Sequence, residues 1–142
     1  MDKKKDIIDK LRSTGLRPTK QRVRLAEYLF NRSKTFHFSV ENLDKIINKK
    51  GSEEKVALAT IYNTINAFKK AGHLKEILLK EGRSYFDTNT TSHHHFYDEE
   101  NNELTDIEAK NIELKKFPVP PKGKSIKNVN VIINIDNDTQ NH

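Results

Sequence analysis

His93, His94 and His95 stand in an unbroken run, and imidazole is the commonest side chain for holding a first-row divalent ion at neutral pH. On an extended segment side chains alternate between faces, so His93 and His95 project together while His94 points the other way. Two imidazoles sharing a face are the start of a metal site. Asp87 at the end of a hairpin, Asp106 beyond the next turn and His37 in the loop ahead of a helix are the groups available to complete it, although spacing alone does not bring the five together. Three nitrogens and two carboxylates suit Fe(II), Mn(II) or Zn(II), the last less well beyond four ligands. The chain has no cysteine, which excludes disulfides, thiolate zinc sites and a cysteine nucleophile. A small metalloenzyme would also need an open coordination position and a general base, and no further acid or base of suitable context presents itself. The expectation is that the chain is not an enzyme.

A second chemistry-bearing group lies on a helix expected over about 57–71. Leu58, Ile61, Ile65 and Phe68 fall on its inward stripe, which leaves Thr60, Tyr62, Asn63, Asn66 and Lys69 facing outward. These side chains match the edges of base pairs: Tyr62 can meet a thymine methyl, Asn63 or Asn66 can pair bidentately with adenine, and Lys69 can reach a phosphate or guanine. Arg17, Lys20 and Arg22, near the start of an earlier helix, are candidates for phosphate or minor-groove contact.

The elements that must position these residues follow from periodicity. One helix is expected over about 2–13, with Ile7, Ile8 and Leu11 on one face and Gly15 as its stop. Pro18 restarts the chain, and Val23, Ala26, Leu29 and Phe30 mark a helix over 19–31. Ser39 caps a third, with stripe Val40, Leu43, Ile46 and Ile47. After the fourth helix, stopped by Gly72, come strand-like residues 74–79, a turn at Glu81-Gly82-Arg83 and a return strand Ser84–Asp87. Helices followed by a hairpin is the order of a winged helix, whose last helix enters the major groove. The remainder reads as short strands at Phe96-Tyr97 and near Glu103-Leu104, a helix from about Ile107 to Lys115, a proline-rich crossing and a final strand over 129–135. The fold class is therefore α+β, an N-terminal winged helix over 1–87 plus a small C-terminal α/β dimerisation domain over 88–142.

Charge divides along the same line. Residues 1–87 carry 20 Lys and Arg against 11 Asp and Glu, a balance of +9, whereas residues 88–142 carry 6 against 9, a balance of −3. A basic first half fits a polyanion such as double-stranded DNA, because neutralising phosphates releases counterions. In the final strand Val129, Val131, Ile133 and Ile135 share one apolar face. A fragment of this size with so thin a core is expected to bury that face against a second copy, as a homodimer. No apolar run of membrane length occurs and the N-terminus carries acids, so the expected location is cytoplasmic, with no membrane span.

The run Gly15-Leu16-Arg17-Pro18-Thr19-Lys20-Gln21-Arg22, the stretch Leu58–Ile65 ending in Ala71-Gly72, and the histidine segment resemble the ferric uptake regulator family. Tyr62-Asn63-Thr64, Phe86-Asp87-Thr88 ahead of the histidines and the missing cysteine pairs are most similar to its iron response regulator subgroup. The resemblance covers almost the whole chain. It implies a repressor-type regulator binding promoter DNA as a dimer to control iron homeostasis genes, with His37, Asp87, His93, His95 and Asp106 as the regulatory metal site between the domains. A second family site matches Ser92, His94, Glu113 and Asn128, of which His94 and Glu113 keep ligand chemistry. The family's four-cysteine structural zinc has no counterpart here. The subgroup is also associated with haem sensing, which would rest on His93–His95. Manganese, zinc and peroxide sensing are the alternatives within the family, and a haem-binding protein without DNA function is the alternative outside it.

Overall fold

The structure is a computed structural model and describes residues 3–51 and 54–138. Its chain divides into two units, Met1–Thr90 and Thr91–His142. Among the described residues no helix is long and apolar enough to cross a membrane.

The first unit carries four helices, α1 (Lys3–Ser13), α2 (Lys20–Phe30), α3 (Val40–Ile47) and α4 (Leu58–Lys70). Asp2, expected to open α1, lies outside the described residues. α1 and α4 stop by the same device: Gly15 and Gly72 take φ of +80° and +85°, a left-handed turn that glycine adopts without a Cβ clash. The next residue then reaches back, Leu16 N–H to the Leu11 carbonyl at 3.0 Å and His73 N–H to the Phe68 carbonyl at 2.9 Å. Ser39 caps α3 as expected, accepting from Asn42 N–H at 3.1 Å, and Thr19, which sequence reading did not single out as a cap, does the same for α2 by accepting from Arg22 N–H at 3.3 Å. The helices pack on one core that includes Ile7, Leu11, Leu25, Leu29, Leu43, Ile61, Ile65 and Phe68, each worth roughly 1.5–3 kcal/mol when fully buried. Two expected members leave it. Ile46 and Leu58 are 38% and 47% exposed, Leu58 because it is the first residue of α4 and no preceding turn covers it. Thr64 takes an inward place on α4 instead, fully buried, with its hydroxyl satisfied by the Thr60 carbonyl at 2.7 Å.

Three antiparallel strands complete this unit, β1 (His37–Phe38), β2 (Lys75–Leu78) and β3 (Ser84–Asp87), in the order β1-β3-β2. The hairpin was expected. The strand at His37 was not, because two residues carry no periodicity to read; its backbone pairs with β3, placing His37 opposite Asp87. The connection from α3 to α4 is held by side chains. Asn48 Oδ1 accepts from Val56 N–H at 2.6 Å, and its Nδ2 donates to the Val56 carbonyl at 2.8 Å and to Asp44 Oδ1 at 2.7 Å. Arg24, from α2, donates to the carbonyls of Ile47 and Glu54.

The second unit is a three-stranded sheet of order β5-β4-β6, from β4 (His93–Asp98), β5 (Glu103–Glu108) and β6 (Ile132–Ile135). β4 and β5 run antiparallel, β4 and β6 parallel. The helix expected from Ile107 to Lys115 is absent. β5 instead continues to Glu108, because His93 and His94 offer partners opposite Glu108 and Ile107, and only a single 3₁₀ turn, Ala109–Asn111, follows. Strand pairing and burial of Ile107 have overridden helix propensity. β4 is longer than expected for the same reason, and takes in all three histidines. β6 is shorter, with residues 129–131 outside it.

Two predictions follow from these contacts. Asn48→Ala leaves the buried backbone groups of Val56 without their side-chain partners and should cost about 1–3 kcal/mol in urea denaturation. Glu76, on β2, is held below the usual carboxylate range by hydrogen bonds from Lys69 and Ser84. A depressed folded-state pKa stabilises above the ordinary glutamate value of 4.5 and is lost as pH falls through the depressed one. Glu76→Gln should therefore cost up to about 1 kcal/mol at neutral pH, with the difference from wild type shrinking in acid.

Candidate metal centre and nucleic-acid face

Each unit carries its own group of metal-competent side chains. In the first, pairing of β1 with β3 sets His37 opposite Asp87, and His37 Nε2 lies 3.1 Å from Asp87 Oδ2. Asp87 is fully buried and its Oδ1 accepts from Asn89 N–H at 2.8 Å. In the second, the alternation of β4 puts His93 and His95 on one face, their rings 4.5 Å apart. Asp106, directly opposite His95 on β5, brings Oδ1 to 3.4 Å from His93 Nε2 and 3.3 Å from His95 Nε2. Both histidines are nearly inaccessible, at 5% and 3%.

These groups suit a divalent ion. Ligand atoms about 2.0–2.2 Å from one ion stand roughly 3.0–3.5 Å from each other, the separation found within each group. Tautomers agree as well. His93 Nδ1 lies 2.6 Å from the Thr91 carbonyl, which only accepts, so Nδ1 carries a hydrogen and in the neutral ring Nε2 is the nitrogen left to act as a ligand atom. His94 has the opposite tautomer. Its Nδ1 accepts from Val131 N–H at 3.0 Å, so the neutral ring carries its hydrogen on Nε2.

The residues matched to a second site are less well gathered. Ser92, His94 and Asn128 line one groove of about 530 Å³, whose other walls are apolar. Glu113 does not line it, and is an exposed residue 3.7 Å from Lys115.

On α4 the outward face is as expected for Tyr62, Asn63, Asn66 and Lys69, all exposed, with Thr60 half-buried. Two carboxylates that sequence reading passed over engage this face. Tyr62 Oη donates to Glu41 Oε1 of α3 at 3.0 Å, which raises the Tyr62 hydroxyl above the usual phenol range through that hydrogen bond and the charge behind it. Lys69 Nζ pairs with Glu76 of β2. No local spacing signals either contact, since the partners lie 21 and 7 residues apart on different elements. Near α2, Arg17 is exposed, Lys20 Nζ lies 3.5 Å from Glu54, and Arg22 Nη1 donates to the Arg17 carbonyl at 3.3 Å.

Comparison with known proteins places this arrangement. The chain is 32% identical over 89 residues to the peroxide operon regulator of Bacillus subtilis (strain 168), a match spanning 63% of this chain and 59% of that protein's length. The fold is similar to the ferric uptake regulator of Vibrio cholerae, with a TM-score of 0.66 at 20% identity over 91% of this chain and 98% of that one. It is similar also to the ferric uptake regulator of Francisella tularensis solved with iron, with a TM-score of 0.67 at 22% identity over 86% and 92% of the two chains. The α+β architecture, a winged helix followed by a small C-terminal domain, is thus the fold of these regulators. The model of the ferric uptake regulator family matches residues 13–134, and the chain belongs to that family.

Proposed function

We propose that this chain is a metal-responsive transcriptional regulator that binds promoter DNA as a homodimer, with His37, Asp87, His93, His95 and Asp106 holding one Fe(II) or Mn(II) ion. The observation that carries the reading is the placement of two preorganised ligand groups on either side of one short connection. Asp87 ends β3 and His93 begins β4, and six residues of chain reach at most ~20 Å. An ion shared by both groups restrains the first unit relative to the second, and so favours one disposition of two α4 helices in a dimer over the rest of the ensemble. When bound, the ion supplies charge that offsets the two carboxylates. The protein's part is to present lone pairs from His93 and His95, to keep water from both rings, and to hold Asp87 in place through Asn89 N–H.

The dimer is supported by apolar surface on the second unit. Leu114, Phe117, Ile126, Val129, Ile133 and Ile135 are each 38–50% exposed, more than a small domain leaves open without a partner. DNA binding through Tyr62, Asn63, Asn66 and the surrounding cations is supported by the fold, the charge of the first unit and the family. Iron homeostasis, as in the iron response regulators, is the assignment favoured by the sequence motifs. Peroxide sensing is the second reading, favoured by the name of the Bacillus relative. In it, His93 and His95 would hold iron, and one of the two rings would gain one oxygen atom from hydrogen peroxide with release of water, detectable by peptide mass spectrometry.

Titration of a labelled AT-rich palindromic duplex with the apo, Fe(II), Mn(II) and haem forms tests the regulatory reading. At least one ligand should change the affinity by roughly 5- to 150-fold; equal affinity in all four forms overturns it. The shared site is tested separately by Mn(II) affinity. His37→Ala and His93→Ala should each weaken binding by at least about 10- to 100-fold. If His37→Ala binds as tightly as wild type, the second unit holds the ion alone and the bridging mechanism fails.

A further inference from the structure

Glu41 is a carboxylate set against α4, the helix that carries the proposed DNA-binding side chains. It lies in the first turn of α3, where the positive end of a helix favours an acid. Its Oε1 accepts the Tyr62 hydroxyl at 3.0 Å across 21 residues of sequence, and both side chains are exposed. The first unit carries a net positive charge suited to phosphates, and an acid on the face of α4 works against that attraction. An acid beside a candidate base-reading aromatic can act on selectivity as well as on affinity.

We propose that Glu41 is a specificity-determining residue of this face, acting through its hydrogen bond with Tyr62. The inference rests on the DNA-binding reading above. When the face meets a duplex, water is stripped from the Glu41 carboxylate, and the carboxylate must keep a donor or carry an uncompensated charge among phosphates. Where a thymine methyl meets the Tyr62 ring in its present orientation, the hydroxyl stays on Glu41 and the charge remains satisfied. Where the base at that place forces the ring aside, the bond breaks and the carboxylate is left facing like charge. Glu41 thereby weakens non-cognate binding more than cognate binding. Such a penalty adds discrimination at a position that the carboxylate itself does not touch.

The test uses the Mn(II)-loaded full chain and two duplexes, one selected by the wild-type protein from a random library and one scrambled from it. Glu41→Gln removes the charge with little change of shape. It should raise affinity for the scrambled duplex by roughly two- to five-fold, the size of an exposed charge interaction, and leave the selected duplex within about twofold, so that the specificity ratio falls. The salt dependence on scrambled DNA should steepen, which a merely structural residue would not cause. Tyr62→Phe keeps the ring and the carboxylate but removes the donor, and should weaken selected binding while leaving scrambled binding unchanged. An unaltered ratio in Glu41→Gln, with wild-type discrimination intact, overturns this inference alone. If wild-type protein enriches no sequence at all, the DNA-binding reading falls and takes this one with it.

Discussion

A carboxylate taken fully out of water costs several kcal/mol unless hydrogen bonds or opposite charge replace its hydration, and Asp87 is such a carboxylate. Its position is set by β3, the central strand of the first sheet, paired to β1 on one side and β2 on the other. Asn89 N–H satisfies one oxygen and His37 Nε2 stands against the other. The two-residue strand β1 therefore does more than extend a sheet: among the described residues of this unit Asp87 is the one buried acid, and the register of β1 sets an imidazole opposite it. His37 and a divalent cation are two ways of offsetting the same buried carboxylate, the cation more strongly. The sheet, the end of the wing and the proposed ion all depend on how that single charge is compensated.

The acids on α4's outward face work under the opposite condition. Glu41 and Glu76 retain access to water, so their contacts with Tyr62 and Lys69 are individually weak. They are better suited to setting the direction of a side chain than to holding the fold. Lys69 on its own would be a mobile cation; paired with Glu76, itself bonded by Ser84 Oγ at 2.6 Å, it is part of the wing's polar edge. A phosphate that approaches Lys69 must compete with a carboxylate already in place. The reading face is consequently less positive than its lysine suggests.

Helices in the first unit were legible because three kinds of signal agreed: apolar periodicity, a hydroxyl cap at Ser39, and glycines at positions that need a left-handed turn. The inward place of Thr64 was not, because a threonine gives no sign that its hydroxyl will fold back on the Thr60 carbonyl. In the second unit the stretch Ile107–Lys115 has helical composition, and only the partner strand reveals why Ile107 and Glu108 extend β5. For the candidate site, alternation on an extended segment sufficed to set His93 and His95 together. His37 and Asp106 could be joined to them only through family resemblance, since strand register, a non-local property, decides which residues face each other.

Two adjacent identical side chains, His93 and His94, acquire different chemistry from their backbone neighbours. A carbonyl beside Nδ1 of His93 forces the hydrogen onto that nitrogen and leaves Nε2 as a ligand atom. An amide N–H beside Nδ1 of His94 forces the reverse, and spends the lone pair on tying β4 to the segment entering β6. To bind an ion through Nε2, His94 would have to give up that bond or lose a proton from a neutral imidazole. A ring with this tautomer on an apolar groove is a structural strut. Its polar neighbours in the groove are Ser92 and Asn128, and Glu113 is exposed beside Lys115. The two faces of β4 thus differ in chemistry: His93 and His95 stand beside the Asp106 carboxylate, whereas His94 is bonded to the backbone of Val131.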